Sequence, residues 1–238
     1  MKLYYDLHIH SCLSPCADMD MTPGNICAMA RLNGLDIIAV TDHQSAGNLE
    51  AVAACALREG LMLLPGLEVC TKEEVHLLCY FDSVKAAQEM GAYCGRHLPN
   101  ISNRPEYFGE QAYVNAQDEI IGHEEKLLLM ALDRSLQEVC QMARSLGGVP
   151  VPAHINRGSN GLLTALGMIP AEEKFTALEV CENLPLEAEV CRFYILHSSD
   201  AHTLGNIAQK NHAISGVNSP GELLGFLNNS LTVLGEQT

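Results

Sequence analysis

Positive charge is scarce in this chain of 238 residues: 14 Lys and Arg stand against 29 Asp and Glu, a formal net charge of −15. An imbalance of that sign repels polyanions at long range, so duplex nucleic acid is not expected as a partner. A small phosphorylated molecule stays admissible if bound cations reverse the field locally. Long apolar runs are missing too. The most apolar stretch, residues 61–69, is interrupted by Pro65, Gly66 and Glu68, too broken to span a bilayer, and no membrane partner is expected. The ten cysteines include no Cys-x-x-Cys pair, and Cys70, Cys79 and Cys181 fall in apolar runs, where a free thiol behaves as a small hydrophobe. Reduced thiols in the cytoplasm are therefore expected, not a disulfide framework. Internal repeats and low-complexity segments are absent. The first motif begins at residue 6, so no leader peptide is expected.

Histidine and carboxylate are what the chain does have, in six short phrases: Asp6-Leu7-His8-Ile9-His10, Thr41-Asp42-His43, Gly66-Leu67-Glu68, Val75-His76, Ala153-His154 and Ser199-Asp200-Ala201-His202. Nearly every phrase sits at the C-terminal end of a strand-like run. Strand ends scattered along a chain converge when the strands form a parallel barrel or sheet, whose C-terminal rim carries the chemistry. Imidazole with carboxylate is a ligand set for zinc, manganese or iron, so the pattern points to a multinuclear metal site. Taken singly, each phrase has an ordinary explanation. His8 and His10 share one face of a strand, as any alternate pair does. Asp42 suits a helix cap, Glu68 a turn, and His76 and His154 a satisfied core position. Six such coincidences at six strand ends are a poor account of the whole. His97, His123, His197 and His212 lie outside the pattern.

The 47% hydrophobic content suffices for one large core, and a single domain over residues 1–238 is expected. Strands are expected at residues 3–9, 35–40, 61–64, 74–81, 149–153, 177–181, 192–197 and 230–234. Helices are expected from the Thr22-Pro23 start to Gly34, over residues 48–59 and 123–132, from Ser135 to Gly147-Gly148, and from Ser219-Pro220 to about residue 227. Ser135 with Glu138 reads as a capping box. Residues 88–122 break this rhythm with Gly91, Gly95, Pro99, Pro105 and Gly109. They are expected to form an insertion with a hairpin near residues 116–118, either a substrate loop or a packed surface excursion.

In order and over essentially the full length, these phrases resemble the motifs of the polymerase and histidinol phosphatase (PHP) family. The resemblance implies an α/β fold, a distorted (β/α)7 barrel with a small insertion, binding two to three divalent ions (Zn, Mn or Fe). It implies that His8, His10, Glu68 and Asp200 hold one metal, that Glu68, His76 and His154 hold a second, and that His43 and His202 hold a third. A carboxylate suits the bridging position because it has two oxygens to share. One departure stands out: many members have Asp directly after Ser14, where this chain has Pro15 and Cys16. Cys16, Asp18 and Asp20 are candidate substitutes, although a plain loop residue is the better explanation of each.

The implied activity is hydrolysis of a small phosphorylated metabolite or nucleotide by hydroxide formed on the metals, whose bound water has a pKa lowered toward about 7. Asp42 and His202 are candidates to move protons, although an acid in the place of Asp42 more often orients a ligand. Arg157 is placed to fork onto phosphate or to form a rim salt bridge, and Arg104 is a second candidate for substrate. A carbon–nitrogen hydrolase is the alternative, disfavoured because no Lys stands at a strand end. A non-catalytic metal-binding module is a third reading. Oligomeric state is not legible.

Overall fold

The computed structural model describes residues 2–229. Strand β1 (Lys2–Ile9) leads to helix α1 (Pro23–Leu32), β2 (Ile37–Val40), α2 (Leu49–Glu59), β3 (Met62–Leu63), β4 (Gly66–Cys70) and β5 (His76–Tyr80). Helices α3 (Val84–His97) and α4 (Pro105–Phe108) precede a hairpin of β6 (Ala112–Val114) and β7 (Ile120–His123). The chain then runs through α5 (Leu136–Ser145), β8 (Val149–Pro152), α6 (Leu162–Leu166), β9 (Ala177–Glu179), β10 (Tyr194–Leu196), β11 (Ala213–Ser215) and α7 (Pro220–Asn228). Local chemistry sets the helix starts. Thr22 accepts from the Asn25 N–H and Pro23 opens α1, and Ser135 and Glu138 close a reciprocal capping box on α5.

The strands make a mixed α/β fold instead of one parallel ladder. β1–β2, β2–β3 and β9–β10 are parallel, whereas β4–β5, β5–β8 and β1–β11 are antiparallel. The cause of the first antiparallel pair is the short link over residues 71–75, closed by a Thr71 N–H to Val75 O bond of 3.0 Å. A parallel connection needs a crossover of roughly a dozen residues or more. Glu68 consequently sits in mid-strand and His76 opens its strand. The hydrogen-bonded sheets are β11-β1-β2-β3, β4-β5-β8, β9-β10 and β6-β7. Parallel bridges Ile9–Ala201 and His43–Glu68 tie the first three together.

Two helix expectations change. Gly91 and Gly95, read as breakers, lie inside α3, whose Ala87, Met90 and Cys94 are buried. Residues 124–132 form turns, not a helix. Their backbone bonds go sideways, from Leu127 N–H to Ile101 O and from Leu132 N–H to Cys70 O, 2.8 and 2.9 Å. Leu127, Leu128 and Leu132 are buried, which gave the segment its helix-like apolar pattern. The strand expected at residues 230–234 lies outside the described residues.

Alternate strand residues fill one core cluster: Leu3, Tyr5 and Leu7 of β1, Ile37 and Ala39 of β2, Leu78 and Tyr80 of β5, Val149 and Val151 of β8, Ala177 of β9 and Leu196 of β10. A second, larger cluster lies between strands and helices, and a small third one joins Cys12 to Ala112 and Val114 of β6. Among the described residues no helix is long and apolar enough to cross a membrane.

Candidate metal centre

The end of β1 sets His8 and His10 side by side, both wholly buried, with Nε2 atoms 3.2 Å apart. Asp200 Oδ1 lies 3.2 and 3.1 Å from those two atoms. Glu68 stands at the middle. Its Oε1 is 2.8 Å from His76 Nδ1, 3.3 Å from His154 Nε2 and 3.4 Å from His8 Nε2. Its Oε2 is 3.0 Å from His43 Nδ1 and 3.3 Å from His10 Nε2. One buried carboxylate thus faces five imidazoles.

These spacings fit shared cations, since ligands about 2.1 Å from an ion stand roughly 3.0–3.4 Å from each other in octahedral and tetrahedral shells. Glu68 Oε2, Asp200 Oδ1 and His76 Nδ1 are buried without a hydrogen-bond partner, although buried polar atoms are ordinarily paired. Three groups have ligand atoms within 4.8 Å of one another: His8, His10 and Asp200; His43, Glu68 and His76; and His10, Cys16, His43 and His202. The residues present fit a cluster of divalent ions.

A layer of acids and hydroxyls orients the imidazoles. Both Glu179 oxygens lie 3.0 Å from His8 Nδ1, and Oε1 accepts the His154 N–H at 3.0 Å. Asp42 accepts the Ser11 N–H at 2.7 Å, the Ser11 hydroxyl at 2.6 Å and the Ser14 hydroxyl at 2.7 Å. Ser14 Oγ is 2.9 Å from His10 Nδ1. Asp6 accepts the Ser199 hydroxyl at 2.6 Å, anchoring the segment that carries Asp200. Three non-glycine residues here have left-handed backbone, Gln44 (φ 55°), His154 (φ 28°) and Asp200 (φ 51°), a strain that surrounding contacts must sustain and that concentrates at functional sites.

Electrostatics follow the same layout. Burial pulls His8 down, but Glu179, Asp200 and Glu68 outweigh it and hold its pKa well above the ordinary value. Burial likewise pulls His10 down, and Asp200 and Glu68 overcome it, raising the pKa to about 9. His43 falls to about 4, through burial above all. Burial would raise Glu68, but His76, His8 and His43 hold it well below the carboxylate range. Asp200 is held far below as well, by His8 and His10 against burial. Both acids are anions here, ready to receive cations.

The structure brings together His8, His10, His43, Glu68, His76, His154, Asp200 and His202, with Cys16 at the edge. Asp18 and Asp20 are exposed and outside these groups. Arg157 Nη2 donates to Asp200 Oδ2 at 2.6 Å. Arg104 is exposed at the start of α4, with no ion pair to the cluster among the described residues. Glu179 escaped the sequence reading. Its only signal was an acid inside the apolar Ala177-Leu178-Glu179-Val180 run.

The model of the PHP domain matches residues 6–148. Among solved structures, the lesion-specific endonuclease EndoQ from Pyrococcus furiosus superposes with a TM-score of 0.67 at 19% identity, covering 96% of this chain and 56% of that one. A protein from Bifidobacterium adolescentis assigned as a metal-dependent phosphoesterase gives 0.60 at 19%, covering 92% and 94%. An amidohydrolase from Chromobacterium violaceum gives 0.55 at 18%, covering 93% and 96%. No curated protein matches the chain. At these identities the likenesses establish the fold, and the chain spans about half the length of the endonuclease Q chains.

One expectation is corrected. Endonuclease Q has been crystallised with a 27-mer duplex carrying an abasic lesion at its active site, in a structure with a TM-score of 0.59 and 21% identity that covers 86% of this chain and 50% of that one. A protein that contains this fold therefore binds a duplex, and the exclusion of duplex nucleic acid does not stand. Net charge describes the far field of the whole molecule, whereas bound cations set the field at a metal site.

Proposed function

The chain belongs to the PHP domain family, and we propose that it is a metal-dependent phosphoesterase acting on a phosphorylated metabolite or nucleotide. The observation that carries this reading is Glu68, a buried anion ringed by five imidazoles, beside a second, largely covered acid, Asp200, paired to an arginine. We read the fold as the distorted (β/α)7 barrel. Supporting this, alternate residues of six strands share one interior cluster, and the Ile9–Ala201 bridge brings the chain after β10 back to β1.

In this reading His8, His10, Glu68 and Asp200 hold one ion, Glu68, His76 and His154 a second, and His43 and His202 belong to a third. Bound ions supply Lewis-acid charge for the phosphoryl oxygens and water activated near neutral pH. The chain's own residues do the positioning. Glu179 fixes the His8 ring with Nε2 facing inward, a carboxylate–imidazole pairing typical of metal ligands. Asp42 acts through Ser14 on His10, and with three donors filling its oxygens it is a positioning residue instead of a proton carrier. His202, only part-buried, turns Nδ1 to the Asp200 carbonyl and gives its other nitrogen to the third ion, so it too serves as a ligand and not as a proton carrier. Arg157 spends one donor on Asp200 and keeps the others for a phosphoryl oxygen.

The test is turnover by the metal-stripped protein with manganese or zinc restored, on a panel of phosphomonoesters, phosphodiesters, an abasic duplex and simple amides. Phosphoester cleavage that chelation abolishes and metal restores is the expected result. Amide hydrolysis without phosphoester cleavage under either metal would assign the centre to carbon–nitrogen bonds.

A further inference from the structure

We propose that the third metal position is a thiolate site, in which Cys16, His43 and His202 hold a zinc ion and leave one coordination position open. The inference rests on the metal-centre reading above and adds a ligand type foreign to the other two positions. Cys16, His43 and His202 have ligand atoms within 4.8 Å of one another and of His10. His10 is already committed, with Nδ1 at 2.9 Å from Ser14 Oγ and Nε2 against Asp200 and Glu68. Each histidine of the cluster is then used once.

The loop after β1 is built to deliver the sulfur. Turns closed by Ser14 N–H to Ser11 O at 3.0 Å and Ala17 N–H to Ser14 O at 2.9 Å fold Cys16 back toward His10. The Asp18 N–H donates to His202 O at 2.9 Å, pinning the loop to the residue that shares the site. His202 Nδ1 lies 2.7 Å from the Asp200 carbonyl, which makes Nδ1 the N–H and leaves the Nε2 lone pair for a metal, the usual arrangement of a ligating histidine. Cys16 also differs from the packed thiols. Cys12, Cys27, Cys55, Cys70 and Cys79 each donate to a backbone carbonyl. Cys16, like the buried Cys94 and Cys140, has no such bond among the described residues, but unlike them it is exposed.

The donor set decides the metal. One thiolate with two neutral imidazoles and an open position is the composition of a catalytic zinc site, and thiolate disfavours manganese.

Cobalt reads the proposal directly. The metal-stripped protein reloaded with cobalt(II) is expected to develop a near-ultraviolet sulfur-to-cobalt charge-transfer band, together with visible bands from the nitrogen and oxygen sites. Cys16→Ser is expected to lose the charge-transfer band and one ion per chain while keeping the visible bands. Zinc should shield Cys16, but not the exposed Cys191, from iodoacetamide in the parent protein. A cobalt-loaded parent without the band, or Cys16→Ser with unchanged band and ion count, overturns the thiolate site and leaves the rest of the centre standing. Failure of the parent to take up any cobalt overturns the metal-centre reading and the thiolate site with it.

Discussion

Glu68 is the residue on which the centre turns, because no other side chain among those described meets as many of its imidazoles. Glu68→Gln keeps the shape but removes the charge, leaving neighbouring cations without a shared anion. It is expected to abolish turnover and lower metal content, and near-normal turnover would refute the bridging role. Glu179→Gln is milder, since the amide still contacts His8 but cannot stabilise its donated proton as an anion does. Metal affinity measured by chelator competition should fall roughly 10–100-fold, with the fold intact. Unchanged affinity would reassign Glu179 to structural packing with His154. These two acids also mark the limits of the sequence. Glu68 was legible because it follows Pro65-Gly66 within a series of His and Asp phrases. Glu179 belongs to no phrase, and its contact with His8 spans 171 positions, a pairing only the assembled strands create.

Elements were legible where local chemistry set them and illegible where packing did. The Thr22-Pro23 start and the Ser135–Glu138 capping box announced α1 and α5. Two glycines concealed α3. An added Cβ at Gly91 would meet the Ala46 backbone nitrogen at 3.1 Å, on the loop that follows His43, while one at Gly95 would meet nothing within 4 Å. Gly91 is thus a close-approach residue, whereas Gly95 merely weakens the helix. Gly95→Ala is expected to raise unfolding free energy by about 0.5–1 kcal/mol without altering metal affinity. Gly91→Ala is expected to weaken metal binding by displacing the His43 loop, whatever helix propensity it adds. Chemical denaturation and metal titration of both variants separate these effects, and identical behaviour of the pair would contradict the packing argument. The β4–β5 hairpin stayed hidden for a different reason: Pro65-Gly66 ended the expected strand at residues 61–64 and made Glu68 read as a turn acid, so β4 (Gly66–Cys70) was not expected as a strand at all.

At the scale of the molecule, a chain of net charge −15 gathers buried acids and imidazoles from β1, the loop after β2, β4, β5, the ends of β8 and β9, and the segment beyond β10. Such a concentration of mutually interacting ionisable groups is costly to bury without partners, and cations are the partners that satisfy it. Metal content by elemental analysis, measured on the parent and on His10→Ala/Asp200→Ala alongside circular dichroism, tests this most directly. Two to three transition-metal ions per chain are expected in the parent, with at least one fewer in the double variant and the helical signal retained. A parent free of transition metal after purification and reloading, or a double variant with full occupancy, would contradict the account.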